Sequence, residues 1–205
     1  MERKTTEKKL QVKEKIGAAA MQCFERYGLD RTTLDDIGRT VGLNKASLYY
    51  YYKNKEDIFL DVAIKEGETF IENLQQKTLQ KKGVEKQVMF YLQERIGNYR
   101  QVLNMHKVGA ETLNRILPTF FVLYDEVLQN EKIFIAQLLK QGIKDGEIKK
   151  ADVQKLSAAL IGITDAVKQK QEQQSLMQGL SDVDYTEAVQ HVKCVVQLMF
   201  AGLKQ

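Results

Sequence analysis

Two helix starts with a helix stop between them fall inside Thr33–Lys45, and few folds accommodate that much punctuation in so short a run. Thr33 stands where an N-cap belongs and Asp36 follows three residues later, close to a capping box with Asp in place of Glu or Gln. Leu34, Ile37 and Val41 recur at three- and four-residue spacing, so they share one face of a short helix. Gly42 comes directly after Val41, and a glycine takes the left-handed backbone angle that ends a helix without steric cost. Leu43 anchors the corner. Asn44 is the next N-cap, and Lys45-Ala46-Ser47 form the first turn of a second helix. Leu48 and Tyr52 lie four apart on its buried face, which leaves Lys45, Ser47, Tyr49, Tyr50 and Tyr51 facing elsewhere.

Two short capped helices around a glycine-containing turn make a helix-turn-helix, whose second helix enters the major groove of DNA. The outward residues suit that use. Lys45 and Ser47 sit at a helix N-terminus, where free N–H groups and the dipole favour a phosphate. Lysine supplies a point charge for phosphate or guanine, and serine donates or accepts. Tyrosine hydroxyls donate to phosphate oxygens. Lys55 opens the following helix, within reach of the backbone.

TTLDDIGRTVGLNKASLYYYYKNKEDIF, residues 32–59, closely resembles the DNA-binding signature of the TetR family of bacterial transcription regulators. The resemblance is specific over roughly residues 13–60, with the helix of about Lys8–Tyr27 fitting as the family's first helix. It implies that phosphate and base contacts fall on Thr33, Lys45, Ser47, Tyr49, Tyr50, Tyr51 and Lys55. Where many members carry His or Phe late in the recognition helix, this chain has Tyr51 and Tyr52. Tyr52 fills a core slot if its hydroxyl finds a partner. Past that stretch the resemblance gives an all-helical plan, and it implies a pocket for a small, often lipophilic effector.

Charge placement agrees. The net charge is +4, and residues 1–55 carry 12 Lys/Arg against 7 Asp/Glu while the other 150 carry 19 against 20. The positive excess thus lies in the segment holding the helix-turn-helix, as phosphate binding requires. Lys8, Lys9, Lys13 and Lys15 lie on the early turns of the first helix, where a solvated face competes with a phosphate-facing one. One proline and 13 glycines in 205 residues argue for long helices. No run approaches the ~20 apolar residues of a membrane span, and the start MERKTTEKKLQ is charged, so a cytoplasmic protein is expected, a bacterial one by the resemblance. Cys23 and Cys194 sit on apolar stripes and read as buried thiols, and neither cysteines nor histidines have metal-ligand spacing. No metal or cofactor is expected. No nucleophile–base pair or phosphate-binding glycine loop is present, so an enzyme is not expected.

After residue 54 a helical regulatory domain is expected over 55–205. Pro118 reads as a break before a helix of about 119–144 that is apolar nearly all round. The last two helices, about 152–177 and 184–203, carry the seams Val153, Leu156, Leu160, Ile163, Val167 and Tyr185, Val189, Val192, Val196, Met199, Leu203. Asp184-x-x-Glu187 reads as a capping box. Second apolar sets on both helices, Ile161 with Ala158 and Val195 with Leu198, point to burial against a second copy, a homodimer through a four-helix bundle. Between them, Phe70, Tyr91, Tyr99, Met105, Phe120, Phe121 and Tyr124 are candidate pocket lining, with His106 and Asp165 among the polar anchors. For each of these, plain packing is the competing reading. Asp165, a carboxylate in an apolar helix, calls for a partner.

The expected protein is all-α: an N-terminal three-helix helix-turn-helix domain, residues 1–54, followed by a C-terminal helical domain for ligand binding and dimerisation. The function expected is a repressor that binds a palindromic operator in double-stranded DNA as a homodimer and is released by a small lipophilic effector. A helical small-molecule-binding protein without specific DNA binding, or an activator, are the alternatives.

Overall fold

A computed structural model describes residues 2–96, 108, 110–178 and 183–204. Among them are eight helices and no strand: α1 Glu2–Tyr27, α2 Leu34–Val41, α3 Lys45–Tyr51, α4 Lys55–Leu79, α5 Val84–Arg95, α6 Ala110–Lys144, α7 Val153–Met177 and α8 Thr186–Leu203. The all-α expectation holds. No described helix is long and apolar enough to cross a membrane.

The chain forms two compact units, 1–67 with 100–124, and 68–99 with 125–205. The division between them falls inside α4, after Gly67, and inside α6, after Tyr124. In the first unit the amphipathic stripe of α1 supplies Ile16, Ala19, Ala20, Cys23 and Phe24. These close on Ile37 of α2, Leu48 of α3, and Ile58, Phe59 and Ala63 of α4. Phe24 and Phe59 meet edge to face with centroids 6.0 Å apart, a preferred geometry for aromatic quadrupoles. Ile116 of α6 is buried in the same core, with Phe120 partly buried against it.

The second unit packs α5 and α7 against α8. Its core holds Val88, Tyr91 and Leu92 of α5, Phe134, Ile135, Leu138 and Leu139 of α6, Leu160 and Ile161 of α7, and Val192, Val196 and Phe200 of α8.

Pro118 does not break the chain: it lies inside α6, which begins at Ala110. Burial of Ile116 before it and of Tyr124 and Val127 after it outweighs the backbone hydrogen bond a mid-helix proline removes. Nor is the 119–144 stretch buried all round, because Phe121, Val122, Leu123 and Ile133 are exposed. Of the α7 seam, Leu160 is buried and Val153, Leu156 and Val167 pack partly buried against the core, but Ile163 is 38% exposed and Ile161, 1% exposed, lies inside instead. The core face also takes in the polar residues Ser157, Thr164, Gln171 and Ser175. Its hydroxyls are accommodated by bonding back to their own helix, Ser157 Oγ to the Gln154 carbonyl at 3.0 Å and Thr164 Oγ1 to the Leu160 carbonyl at 2.7 Å. Cys23 is buried, but Cys194 is exposed. No capping box opens α8: Tyr185 is the N-cap, and Asp184 Oδ1 accepts from the Thr186 N–H and hydroxyl at 2.9 and 2.6 Å. Glu187 instead accepts from Gln171 Nε2 at 2.7 Å.

Candidate nucleic-acid interface

The corner forms as its residues dictate. Thr33 Oγ1 accepts the Asp36 N–H at 3.2 Å, and Asp36 Oδ2 accepts the Thr33 N–H at 3.0 Å, so the capping box is complete. Gly42 adopts φ 74°, ψ 30° and its N–H donates to the Gly38 carbonyl. The Leu43 N–H donates to that same carbonyl at 2.9 Å. Asn44 then caps α3, its Oδ1 accepting the Ser47 N–H at 2.8 Å. Gly38, which the pattern of caps does not flag, is what lets the two helices close. A Cβ there would stand 2.6 Å from the Leu43 carbonyl oxygen and 3.3 Å from Leu48 Cδ1.

Asp36 is held below its ordinary carboxylate value of 3.8, chiefly by the Thr33 hydroxyl and then by the Thr33 N–H, with Arg39 adding to them. A depressed folded-state value means the cap contributes fully above pH 3.8 and is lost as the pH falls through the lowered value. Thus Asp36→Asn is expected to cost about 1 kcal/mol at pH 7. That gap should narrow in urea melts as the pH is taken below 3.8. A gap that stays constant down to acid unfolding would contradict the assignment.

The sequence-selected residues divide into outward and inward sets. Tyr49 and Tyr50 are 53% and 70% exposed on α3, and Lys45 is exposed at its start. Ser47 is half-buried. Tyr51 packs partly against the core and meets Tyr50 edge to face at 4.9 Å. Leu48 and Tyr52 are buried, as their spacing requires. The Tyr52 hydroxyl finds its partner in Asp61 of α4, and burial, then this carboxylate, push the phenol's pKa up. Asp61 also receives Lys13 at 3.8 Å and Lys65 at 3.6 Å. It thereby ties α1, the end of α3 and α4 together, a role invisible in the local sequence.

Two residues already have partners in the chain. Lys45 Nζ lies 3.4 Å from Asp35 Oδ2 across the corner, an exposed pair of the kind that contributes little. Lys55 Nζ donates to the Asp30 and Thr32 carbonyls at 2.7 and 2.8 Å. Two of its three N–H donors thus fasten the α1–α2 loop. Thr33's hydroxyl is likewise engaged by the cap and by Asp36 Oδ2 at 2.6 Å.

The effector candidates fall into both units. Phe120, Phe121 and Tyr124 belong to the first, where Phe120 and Tyr124 stack at 5.4 Å and Phe121 is 53% exposed. Phe70, Tyr91 and Asp165 belong to the second. Tyr99, Met105 and His106 lie outside the described residues. Asp165 has the partner its setting called for: Arg95 Nη1 at 2.8 Å. Arg95 also donates to both oxygens of Glu131, from Nε at 2.7 Å and Nη2 at 2.9 Å, and the Tyr91 hydroxyl donates to Glu131 Oε1 at 2.9 Å. Arg95 and Glu131 are 2% and 0% exposed. Burial alone would lower the guanidinium's pKa, but Glu131 and then Asp165 hold it above the ordinary value. Nearby Lys168 is lowered by burial. Among the described residues no group of three or more His, Cys, Asp or Glu could hold a metal.

Comparison with known proteins places this corner. Residues 16–62 match the family model of bacterial regulatory proteins, tetR family. Over 48 residues the chain is 52% identical to the biofilm operon icaADBC HTH-type negative transcriptional regulator IcaR of Staphylococcus epidermidis, covering 23% of this chain and 26% of that protein. The IcaR of Staphylococcus aureus strain Newman is 46% identical over 48 residues, with the same coverage. These matches span about a quarter of each relative's length. The whole fold is similar to a transcriptional regulator from Cytophaga hutchinsonii, with TM-score 0.74 and 23% identity over 94% of this chain and 98% of that one. It is also similar to the fatty acid degradation regulator FadR from Bacillus halodurans, with TM-score 0.60 and 19% identity over 92% of this chain and 94% of that one. The capped corner and the family match fall on the same stretch: over residues 16–62 this chain is similar to the bacterial regulatory proteins of the tetR family, and the whole chain shares its fold with the solved regulators.

Proposed function

We propose that this chain is a DNA-binding transcription regulator, a repressor that grips a palindromic operator as a homodimer and lets go when a small molecule binds. The observation that carries the reading is α3, a short helix capped by Asn44 that presents Lys45, Tyr49 and Tyr50 to solvent while Leu48 and Tyr52 anchor it. A helix held from behind and bare in front is what insertion into a major groove requires. In this proposal Lys45, Ser47, Tyr49 and Tyr50 meet phosphates and base edges, and Thr33 and Tyr51 approach the backbone. The third N–H of Lys55 reaches a phosphate while its other two hold the loop. IcaR, with which the corner is shared, is a negative regulator, which supports repression.

Dimerisation is supported by the outer faces of α7 and α8. Ile163 and Leu198 are 38% and 69% exposed, and Ala159, Gly162 and Ala166 are exposed small residues that admit a second backbone closely. A two-fold pair of recognition helices would read half-sites about 34–36 Å apart. Release by a small lipophilic molecule in the helical region is supported by α4, one continuous helix that begins beside α3 and ends in the second unit. Shifting its far end biases the spacing of the recognition helices, a coupling between two states.

Selection of bound sequences from random duplexes, with and without cell extract, tests this. The expected result is an enriched two-fold symmetric site, depleted when extract supplies the effector. Recovery of no enriched sequence in either arm would contradict the proposal.

A further inference from the structure

The DNA-facing surface does not stop at the two-helix corner. Lys9 and Lys13 lie one turn apart on α1, and each stands over a ring of the recognition helix. Lys13 Nζ is 4.6 Å from the Tyr52 centroid, but Tyr52 is buried and Lys13 is paired with Asp61. Its charge is therefore turned to the inside of the domain. Lys9 differs on both counts. Its Nζ stands 5.4 Å from the centroid of Tyr50, the most exposed ring on α3, and among the described residues no carboxylate lies within 4.0 Å of it.

We infer that Lys9 of α1 is a further DNA-binding residue, contacting a phosphate of the strand that walls the groove entered by Tyr50. The inference rests on α3 being the DNA-reading helix, and the geometry follows from the width of the groove. A major groove is about 12 Å across. A cation about 5 Å to one side of a ring lying in that groove falls at its wall, where the phosphates are. The aromatic face of Tyr50 holds the ammonium in place beforehand, and with no carboxylate paired to it among the described residues its charge is left for a phosphate. Lys9 adds affinity without reading sequence, because a phosphate contact positions and does not specify.

The test is Lys9→Ala, with Lys9→Arg beside it, titrated against the selected duplex and an unrelated one over a range of salt. Lys9 is exposed and alanine is a good helix former, so both variants should melt with the unsubstituted chain. Each phosphate contact contributes a slope of about 0.9 in log K against log salt, worth roughly fivefold at ~0.15 M when extrapolated to 1 M. With two copies per dimer, Lys9→Ala should bind both duplexes roughly thirtyfold more weakly, with a slope shallower by about 1.8, and Lys9→Arg should bind normally. Unchanged affinity and slope would overturn the assignment. So would an unchanged slope with an altered base preference, which would make Lys9 only a prop for Tyr50. If the unsubstituted chain binds no duplex at all, the reading of α3 fails first and this assignment with it; if it binds and Lys9→Ala binds equally, only this assignment fails.

Discussion

Gly38→Ala is expected to lower the melting temperature by several degrees and to remove DNA binding with it. The added methyl would stand 2.6 Å from the Leu43 carbonyl oxygen, a backbone atom in the turn itself. That carbonyl cannot swing aside as a lysine tip would, because its residue follows the left-handed Gly42 and leads directly into the Asn44 cap. Relief must come from moving α2 against α3, with Leu48 Cδ1 at 3.3 Å limiting the room. Overpacking of this kind costs about 1–3 kcal/mol. The displaced helix is the one that carries Lys45 and Tyr50, so binding suffers more than stability does. Gly42→Ala is the instructive contrast. Nothing lies within 4 Å of a Cβ there, and only the left-handed backbone opposes the change, for about 1–2 kcal/mol. Thermal melts and duplex titrations of both variants separate the two mechanisms. A Gly38→Ala protein that melts and binds like the unsubstituted chain would refute the close-approach argument.

The largest expected loss of stability comes from Glu131→Leu. It leaves Arg95, 2% exposed, with its contact to Asp165, and removes the Glu131 oxygen that accepts from the Tyr91 hydroxyl. Breaking a buried pair from one side costs about 3–5 kcal/mol, because a charge stays buried without its partner. The double change Arg95→Met/Glu131→Leu removes both charges and should recover most of the loss, since a buried pair is often replaceable by apolar residues of similar volume. Urea unfolding of the three proteins measures this. If Glu131→Leu unfolds with the unsubstituted chain, or if the double variant is no better than the single, the network does not hold the second unit together in the way its hydrogen bonds indicate.

What could be read from sequence is what is decided locally. Caps, corner and recognition face are set by residues three or four apart, so Thr33 with Asp36, Gly42, and Asn44 with Ser47 fall where spacing puts them. The core stripe of α1 is equally local. Contacts across long separations were not legible. Arg95 reads as an ordinary charged residue until Glu131 and Asp165 close on it from α6 and α7. Tyr52 needs Asp61 to explain its burial. The closeness of Gly38 to Leu43 depends on an angle between helices that no periodicity states. Two local rules were overridden by tertiary burial: the proline break at Pro118 and the heptad-like seam through Ile163. On α7 buried hydroxyls bond to their own helix, so the core face is not the most apolar one. Aromatic spacing, the signal behind the effector candidates, does not distinguish a pocket from packing. The candidates divide between the units accordingly, with Tyr91 engaged by Glu131.

The account stands on α3 as a DNA-reading helix. An anisotropy titration of labelled duplex, starting near ~0.05 M salt, measures this most directly when the unsubstituted chain is run beside Lys45→Ala/Tyr50→Ala. The unsubstituted chain should bind with log K falling linearly in log salt, and the double variant, its helix content intact, should bind at least ~100-fold more weakly. An unsubstituted chain that leaves the duplex free at low salt, or a double variant that binds as well as its parent, would contradict it.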